Sequence, residues 1–540
     1  MKLNKNIVAV LVLSLFSICL NAQTQDYPNR AVMYNTSDQS ETMIAINPVN
    51  NSQMVGVWND YSVDPDEFRA GIGISTDGGS AWTTSLIIAD SAGGDLTGYH
   101  YGANPCVAID RNGKIFFAFM ALNNNGDEVI VVASKNITSG NWVYKKLSTR
   151  TDGQDKPWIT VDNTGGNRDG TIYVTWTDIT EGWPSSYKIM ESHSTDHGAT
   201  FSTPAQIDGM TGGQGESIVT LKPSSNHSEI TAEKILQGSM PAVGPNGEVY
   251  IVYCYVYSST RYYKTVKSTN GGTSWSSPTN GPSFNGWFMS YNGNCRILPL
   301  PSLTIAPTGD LLLAYTDYKS SGDHSFRVKF SKSTNSGTDW STPAIIPTGL
   351  DQGWQYFACI TVNSNGRTSV GYMHCQNPPQ SYQYSSAQQA RLITSTNYGD
   401  SWGSAENAAN QTSTPPVTGM TYEYMGLTSI ASNNQIFYLW TDHRNSNADP
   451  YYISLLSIPW TIASGWSMLS LPDTIDYACP NADCVYSDAT AGPYAYVDGQ
   501  YEDYWDLETG TGYWIKYTSQ TSKTYRGVPV YKCTLDVVSG

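Results

Sequence analysis

The sequence predicts an all-β protein: a β-propeller, with seven blades favoured and six as the alternative, followed by a small β module. Glycine and aromatic residues are abundant, with 48 Gly, 37 Tyr and 16 Trp among 540 residues, a composition typical of turns that join aromatic-rich strands. No stretch repeats its apolar residues at the helical period. One short motif also recurs along the chain, and such recurrence is the signature of a repeat architecture.

The recurring motif has the pattern Ser-Thr-Asp/Asn-x-Gly-x-x-Trp/Phe. Asp or Asn can hydrogen-bond the backbone that follows it in a tight turn, Gly supplies a positive φ, and the aromatic ring fills the blade. We therefore interpret Asp77, Asp196, Asn270, Asn335 and Asn397 as residues of the fold and not of a catalytic site. A degraded copy lies at 134–142, and the five good copies are Ser75–Trp82, Ser194–Phe201, Ser268–Trp275, Ser333–Trp340 and Ser395–Trp402.

A second pattern, an apolar strand, a Gly turn and another apolar strand, occurs seven times. Four-stranded units at this spacing predict a propeller over residues 27–458. The last unit lacks a good motif copy, and the segment 30–34 is the expected closing strand. The seven pairs lie near 41–58, 104–119, 156–176, 239–255, 300–315, 356–372 and 423–440.

Both ends of the chain differ from the repeats. Residues 1–22 have the pattern of a signal peptide, with Lys2 and Lys5 before an apolar run at 7–20, and they predict a secreted or cell-surface protein. Residues 462–540 resemble a β module, of a Bacteroidetes type, that is appended to exported bacterial proteins. The closing residues 537–540 echo 462–465, so we expect this module to be incomplete.

The charge and the cysteines restrict the function further. A net charge of −16 and a pI of about 4.8 disfavour nucleic acid and anionic membranes as partners, because both are polyanions. No segment after the apolar run at 7–20 predicts a transmembrane span. We expect a monomer.

The spread of the cysteines does not indicate a disulfide scaffold or a zinc site. Cys479 and Cys484 are close enough in sequence to pair.

Propeller topology predicts where chemistry can lie. The starts of first strands and the ends of second strands share one face, and the motif turns lie on the other. The first-strand starts carry Glu41, Asp155, Lys156, Trp158, Arg296, Glu423 and Tyr424. The second-strand ends carry Asp60, Asp178, Asp317 and Asp442, with Arg444 just beyond.

This face is a candidate glycan site. Paired carboxylates can act as a general acid and base, and aromatic rings suit the faces of sugars. We predict substrate contacts for Trp158, Arg296, Arg444 and the four second-strand Asp residues. The alternative for those four Asp residues is a turn or capping role that repeats with the blade.

The motif is similar to the Asp-box, or BNR repeat, of the sialidases and related propellers, and this resemblance covers about 400 residues. Sialidases carry an Arg-Ile-Pro segment, a loop Asp as acid/base, a Tyr–Glu nucleophile pair and an Arg triad. Arg296-Ile-Leu-Pro is similar to the first, with two extra residues and in the fifth unit. The resemblance implies Arg296 for the substrate carboxylate, Asp323 as acid/base and Glu423 with Tyr424 as the nucleophile pair.

Two classes of function remain open at this stage. The first is an exo-acting glycosidase of sialidase type. The second is a propeller that binds glycans without hydrolysing them, or that acts as a polysaccharide lyase, because propellers host many functions. We expect no cofactor for the first class, whereas a carboxylate-rich mouth could supply the hard oxygen ligands that Ca²⁺ prefers.

Overall fold

The fold is known from a computed structural model. It describes the backbone of residues 29–33, 35–64, 67–148, 150–180, 186–211, 234–257, 260–286, 290–292, 295–350, 352–378, 386–415, 423–429, 435–462, 465–470, 473–474, 491–497, 500–503, 512–517 and 521–529. Side chains are described as far as residue 454, except at 64, 67, 211, 234, 290–292, 295–296 and 429.

Seven consecutive sheets form the blades of a propeller. The N-terminal strand is β1 (Arg30–Ala31), and each of the first four blades then takes four strands in chain order. These are β2 (Gln39–Asn47), β3 (Asn50–Asp64), β4 (Glu67–Ser75) and β5 (Thr83–Ile87); β6 (Tyr101–Ile109), β7 (Lys114–Leu122), β8 (Glu128–Asn136) and β9 (Ser139–Lys146); β10 (Gln154–Val161), β11 (Ile172–Thr180), β12 (Ser186–Ser194) and β13 (Ala205–Thr211); and β14 (Lys234–Val243), β15 (Val249–Tyr257), β16 (Thr260–Ser268) and β17 (Thr279–Ser283).

The remaining blades follow a two-stranded sheet formed by β18 (Ser290–Asn292) and β19 (Cys295–Ile297). Blades 5 and 6 have four strands each, and blade 7 has three strands in chain order. They are β20 (Pro301–Ile305), β21 (Leu311–Ser320), β22 (Asp323–Ser333) and β23 (Ala344–Ile345); β24 (Trp354–Val362), β25 (Thr368–Cys375), β26 (Gln388–Ser395) and β27 (Glu406–Asn407); and β28 (Gly426–Ser429), β29 (Ile436–Asp442) and β30 (Asp449–Ile462).

The N-terminal strand closes the ring. β1 pairs with β30, with Arg30 opposite Tyr452, and so supplies the fourth strand of blade 7. Gln39 N–H also donates to the carbonyl of Ala448 at 2.7 Å. The predicted closing strand and the predicted count of seven blades are therefore confirmed.

The blades are buried on both faces because each one is sandwiched between two neighbours. β7 shows the result, since all seven residues between its two ends are buried and its sequence is a continuous apolar run and not an alternating one. Among the described residues, regular helix is limited to two short 3-10 turns, Ala89–Ala92 and Gly94–Leu96. None of the described helices has the length and apolar character that a bilayer crossing requires.

The five motif copies form the same turn between the third and fourth strands of their blades. In the first copy, the Ser75 hydroxyl donates to Asp77 at 2.8 Å and accepts from Gly79 N–H at 2.8 Å, while Asp77 accepts from Ala81 N–H at 3.0 Å. Equivalent bonds occur at Ser194, Ser268, Ser333 and Ser395. The interpretation of the motif Asp and Asn residues as turn residues matches this geometry.

The motif turns also join neighbouring blades. Gly79 has a φ of 88°, and a Cβ added there would lie 2.1 Å from the Tyr452 hydroxyl of blade 7. The Trp82 ring packs edge-on against Tyr452 at 5.3 Å, and Trp402 packs in the same way against Phe330 of blade 5 at 5.4 Å. The aromatic ring is half-buried in every copy, so it covers a seam between blades and does not fill the interior of one.

The chain beyond blade 7 continues as further strands. They are β31 (Gly465–Ser470), β32 (Asp473–Thr474), β33 (Ala491–Val497), β34 (Gln500–Asp503), β35 (Gly512–Tyr517) and β36 (Thr521–Pro529). The second half of β30 pairs with β36, from Leu456 opposite Gly527 to Ile462 opposite Thr521. One strand therefore runs through the boundary near 458–462 that the sequence suggests, and the domain limits stay predictions. Residues 1–22, Cys479 and Cys484 lie outside the described residues.

Candidate functional site

The strand register places the predicted site residues on one face of the propeller. Gln39 at the start of β2 lies opposite Asp60 in β3, and Gln154 at the start of β10 lies opposite Asp178 in β11. The motif turns lie at the other end, since Ser75 pairs with Met54 near the beginning of β3. The arrangement of the two faces is the one that the topology predicts.

We call the mouth the ring of residues at the start of the seven innermost strands. Their side chains differ from blade to blade, and they form a polar arc over blades 7 and 1–3 and an apolar arc over blades 5 and 6. In chain order they are Glu41, Asn104, Lys156, Gly238, Leu300, Phe357 and Tyr424.

Five of these positions have a left-handed backbone, and it is strained at the four that carry a side chain. Each lies in a β-bulge where the register with the second strand shifts. Glycine occupies it in blade 4, but Glu41 (φ 52°), Asn104 (51°), Lys156 (47°) and Phe357 (58°) adopt the same left-handed conformation. A side chain there costs on the order of 1–2 kcal/mol, and such strain clusters at functional sites. The mouth thus keeps side chains where glycine would relieve strain.

A buried ion pair joins blades 3 and 7 at the mouth. Lys156 Nζ donates to a carboxylate oxygen of Glu423, and the two side chains are 7% and 1% exposed. Lys156 also lies 5.8 Å from the centre of the Tyr424 ring. Removing both charges from water is costly unless they are paired, so this contact fixes blade 3 to blade 7.

Tyr424 contacts the carboxylate of Glu41 from blade 1. Its hydroxyl donates to the carbonyl of Pro105 at 3.5 Å, and burial together with the nearby charges of Glu41 and Glu423 holds the pKa of the phenol well above its usual value. The Trp158 ring packs edge-on against Tyr424 at 5.6 Å. Glu423, the chain neighbour that the sequence pairs with Tyr424, binds Lys156, and Glu41 is the carboxylate from another blade that lies beside Tyr424.

A chain of amides and carboxylates continues this network over blades 1–4. Asn59 Nδ2 donates to Glu41 at 3.0 Å, and Asn59 Oδ1 accepts from the backbone N–H of Asn104 at 3.0 Å. Asp155 then accepts from Asn104 Nδ2 at 2.8 Å and from Gln237 Nε2 at 2.6 Å. Sequence reasoning missed Asn59, Asn104 and Gln237, although Asn104 and Gln237 stand at or next to the same place in the repeat as Glu41 and Lys156.

A cavity of about 60 Å³ lies beneath the mouth. Its wall includes Lys156, Trp158, Glu423 and Tyr424 on one side and the apolar Leu300 and Phe357 on the other. A larger space of about 300 Å³ lies along the lower halves of all seven innermost strands. The candidate site thus combines a polar wall and an apolar wall with a larger space along the innermost strands.

The four second-strand Asp residues are buried and contact other residues of the fold. Asp60 is fully buried and accepts from the Trp58 indole at 2.8 Å and from Ser62 N–H at 2.9 Å. Asp442 accepts from the Trp440 indole at 2.9 Å. The other two are ion-paired, Asp178 with Arg150 and Asp317 with Lys329 at 2.7 Å. The substrate contacts predicted for Asp60, Asp178, Asp317 and Asp442 are therefore replaced by the capping alternative.

The remaining predicted residues are not among the seven that form the mouth. Asp323 is the first residue of β22, where hydrogen bonds from Ser325 and an ion pair with Lys319 hold its pKa at about 2. A carboxyl with that pKa is ionised at neutral pH and cannot donate a proton as a general acid. Arg444 binds Asp442 at 2.8 Å and Asn29 at 2.8 Å, so it secures the ring closure. Arg296 lies in β19, and its side chain is outside the described set.

The described residues include four free cysteines and no cluster of side chains typical of a metal site. No group of three or more His, Cys, Asp or Glu side chains with metal-binding geometry occurs among the described residues. Cys106, Cys254, Cys359 and Cys375 are free and buried. Burial raises the pKa of Cys106 to about 12, so this thiol is inert at neutral pH.

Comparison with known proteins gives structural likenesses alone. No family model matches the chain, and no curated protein matches it. Among solved structures, it is similar to a Hadza microbial sialidase at 14% identity, covering 79% of this chain and 68% of that one, with a TM-score of 0.40. A Trypanosoma rangeli sialidase is 13% identical over 77% of this chain and 53% of that one, with a TM-score of 0.36. An alpha-L-arabinanase from Penicillium chrysogenum is 12% identical over 80% of this chain and 97% of that one, with a TM-score of 0.41. At this level of likeness none of the three bears on the activity of this chain.

Proposed function

We propose that this protein is an exo-acting glycoside hydrolase that removes terminal sugars from glycans at the mouth of the propeller. One observation carries the proposal: the carboxylate of Glu41 lies beside Tyr424 at a ring where strained side chains replace glycine. A phenol is a weak nucleophile at its normal pKa of about 10, and the raised pKa of Tyr424 makes its ionisation harder still. It becomes reactive when an adjacent base takes its proton.

The proposed chemistry uses the contacts at the mouth. Glu41 accepts the proton of Tyr424, and the phenolate oxygen attacks the anomeric carbon, as in the glycosidases that use a Tyr nucleophile. Lys156 lies over the Tyr424 ring and offsets the negative charge that forms there. Asp155 is the half-buried carboxyl group of the network, and we propose that its protonated form donates to the leaving oxygen as the glycosidic bond breaks. Its carboxylate then takes a proton from the water that hydrolyses the glycosyl-tyrosine and releases Tyr424, and Glu41 returns its proton to the phenol oxygen.

The decisive experiment replaces Tyr424 by Phe in the full chain and measures hydrolysis of aryl glycosides. We expect at least a 1,000-fold loss of kcat, on the order of a removed catalytic nucleophile, with an unchanged unfolding midpoint. Tyr250→Phe is the matched control, because Tyr250 is also buried and its hydroxyl donates to Ser336 of a motif turn on the opposite face. Equal activity of the two variants would remove Tyr424 from the mechanism.

A second test addresses the proton donor. Asp155→Asn is expected to slow substrates with poor leaving groups far more than substrates with activated aryl groups, because only the former need protonation. An equal loss on both kinds of substrate would assign Asp155 to positioning.

The sialidase type is the finer version that the sequence resemblance implies. It requires a guanidinium for the sialic acid carboxylate, and Arg296 is the residue that the resemblance names. Hydrolysis of a sialoside that is lost in Arg296→Ala but not in Arg391→Ala would establish it.

A non-catalytic glycan-binding propeller is the second candidate. The observation in its favour is burial: Glu41, Lys156, Glu423 and Tyr424 are each less than a tenth exposed, and the cavity beside three of them has about 60 Å³. Calorimetric binding of an oligosaccharide that the protein does not hydrolyse would support this class.

A further inference from the structure

Blade 1 departs from the other blades at the end of its second strand. In three of the four blades that carry the second-strand Asp, the residue before that Asp is a threonine: Thr177, Thr316 and Thr441. In blade 1 it is Asn59. The same place in the fold therefore carries an amide, which has two N–H donors that a hydroxyl group lacks.

The threonines show what the fold needs at this place. Thr177 and Thr441 are fully buried, and their hydroxyl groups have no hydrogen-bond partner among the described residues. Thr316 Oγ1 accepts from the backbone N–H of Ala358 in the next blade at 3.5 Å. A threonine is thus sufficient for the blade, and at most it supplies an acceptor to the neighbouring blade.

Asn59 makes that bond between blades and one bond more. Its Oδ1 accepts from the backbone N–H of Asn104 in blade 2 at 3.0 Å. A backbone N–H can only donate, so this bond fixes which end of the amide is the oxygen. Nδ2 then donates to Oε2 of Glu41 at 3.0 Å. Asn59 is 5% exposed, so both ends of the amide are held inside the protein.

The additional bond holds the carboxylate that the proposed reaction uses as a base. Glu41 is buried, has a left-handed backbone and lies beside Tyr424. A hydrogen bond donated to a carboxylate favours its ionised form, and that form is the one that can accept a proton. The bond also restricts rotation of the carboxylate, because it fixes one of the two oxygens.

We propose that Asn59 is a positioning residue that fixes the Glu41 carboxylate beside Tyr424. The proposal rests on the proposed function, because Glu41 acts there as the base. Asn59 does not line the cavity beneath the mouth, so it acts through Glu41 and not on the substrate. Its loss therefore lowers kcat and leaves KM unchanged.

The test gives blade 1 the residue that the other blades carry. Asn59→Thr in the full-length protein keeps an acceptor at this place and removes the donor to Glu41. We expect kcat for aryl glycosides to fall by roughly 10- to 100-fold, as for the loss of a hydrogen bond to a charged group, at an unchanged KM. The urea midpoint should stay close to that of the wild type, because three blades fold with threonine there.

Two further variants complete the test. Thr441→Val changes the same place of the repeat in blade 7, where the hydroxyl has no partner among the described residues, and we expect the kcat of the wild type. Asn59→Asp keeps the size of the side chain and the acceptor for Asn104 but not the donor to Glu41. We expect it to lose kcat as Asn59→Thr does, and it decides the matter if the threonine variant does not fold.

The outcomes separate this proposal from the proposed function. A wild-type kcat in Asn59→Thr, together with an inactive Tyr424→Phe, would overturn the positioning role and leave the glycosidase standing. A loss that appears as a higher KM would place Asn59 in substrate binding and would also overturn it. If the wild-type protein hydrolyses no aryl glycoside, both proposals fail.

Discussion

Replacing Lys156 by Met tests the buried ion pair that joins blades 3 and 7. The change removes the ammonium group and keeps a side chain of similar length. Lys156 has a φ of 47°, and Met also carries a Cβ, so the backbone strain is the same in both proteins. The difference in stability therefore reports the loss of the charge.

The expected loss is large because of the burial of the partner. The Glu423 side chain is 1% exposed, and in the variant its charge faces the protein interior without Lys156. Breaking a buried pair from one side costs about 3–5 kcal/mol. Lys156→Met with Glu423→Gln removes both charges, and we expect the double variant to recover most of that loss, since neutral replacements of buried pairs are close to neutral in stability.

Urea unfolding followed by tryptophan fluorescence at pH 7 measures the single variants and the double variant. The reasoning predicts a coupling energy of about 2 kcal/mol or more between the two sites. A loss below about 1 kcal/mol in Lys156→Met would be typical of an exposed pair, and it would refute the burial on which the argument depends. Additive losses would show that the two residues do not interact.

Three further outcomes follow from the fold. Trp340→Ala should lower the free energy of unfolding by about 2–3 kcal/mol, less than the 3–5 kcal/mol of a fully buried ring, because the ring is half-buried. An unchanged urea midpoint would show that the ring is not packed. Burial raises the pKa of Asp449 from 3.8 to about 6, so its ionised form lowers the free energy of unfolding at pH 7, and protonation between about pH 6 and 4 restores it. Asp449→Asn should make the free energy of unfolding less dependent on pH between about 6 and 4, and an unchanged dependence would contradict the shift. Truncation after Ile462 should leave glycan hydrolysis or binding intact, and a folded propeller that has lost both would contradict this expectation.

The repeats could be read from the sequence because local chemistry repeats with them. The motif turns need a Ser, an Asp or Asn and a Gly at fixed places, and their hydrogen bonds span at most four residues, as from Asp77 to Ala81. The doubly buried strands, such as β7, need continuous apolar runs. Both signals lie within about ten residues, so the seven blades and the two faces of the propeller were predictable.

The second-strand Asp residues show where the same reasoning stops. Asp60 and Asp442 follow Trp in similar sequences, and each accepts the indole N–H of the Trp two residues before it. An Asp at the end of a second strand looks the same in the sequence whether its carboxylate points to solvent or accepts a hydrogen bond from a Trp indole. Only the packing shows that Asp60 has no exposed surface.

The sequence by itself determined the fold class, the blade count, the closing strand and the face that carries the mouth. Tertiary structure decided which residues meet there: Tyr424 with Glu41, far away in the chain, and Lys156 with Glu423, at a separation of 267 residues. The physical reason is ring closure, which places blade 7 beside blade 1. It also lets side chains of blades 3 and 7 meet across the mouth. Contacts made across a ring depend on the positions of whole blades, and no local pattern encodes them.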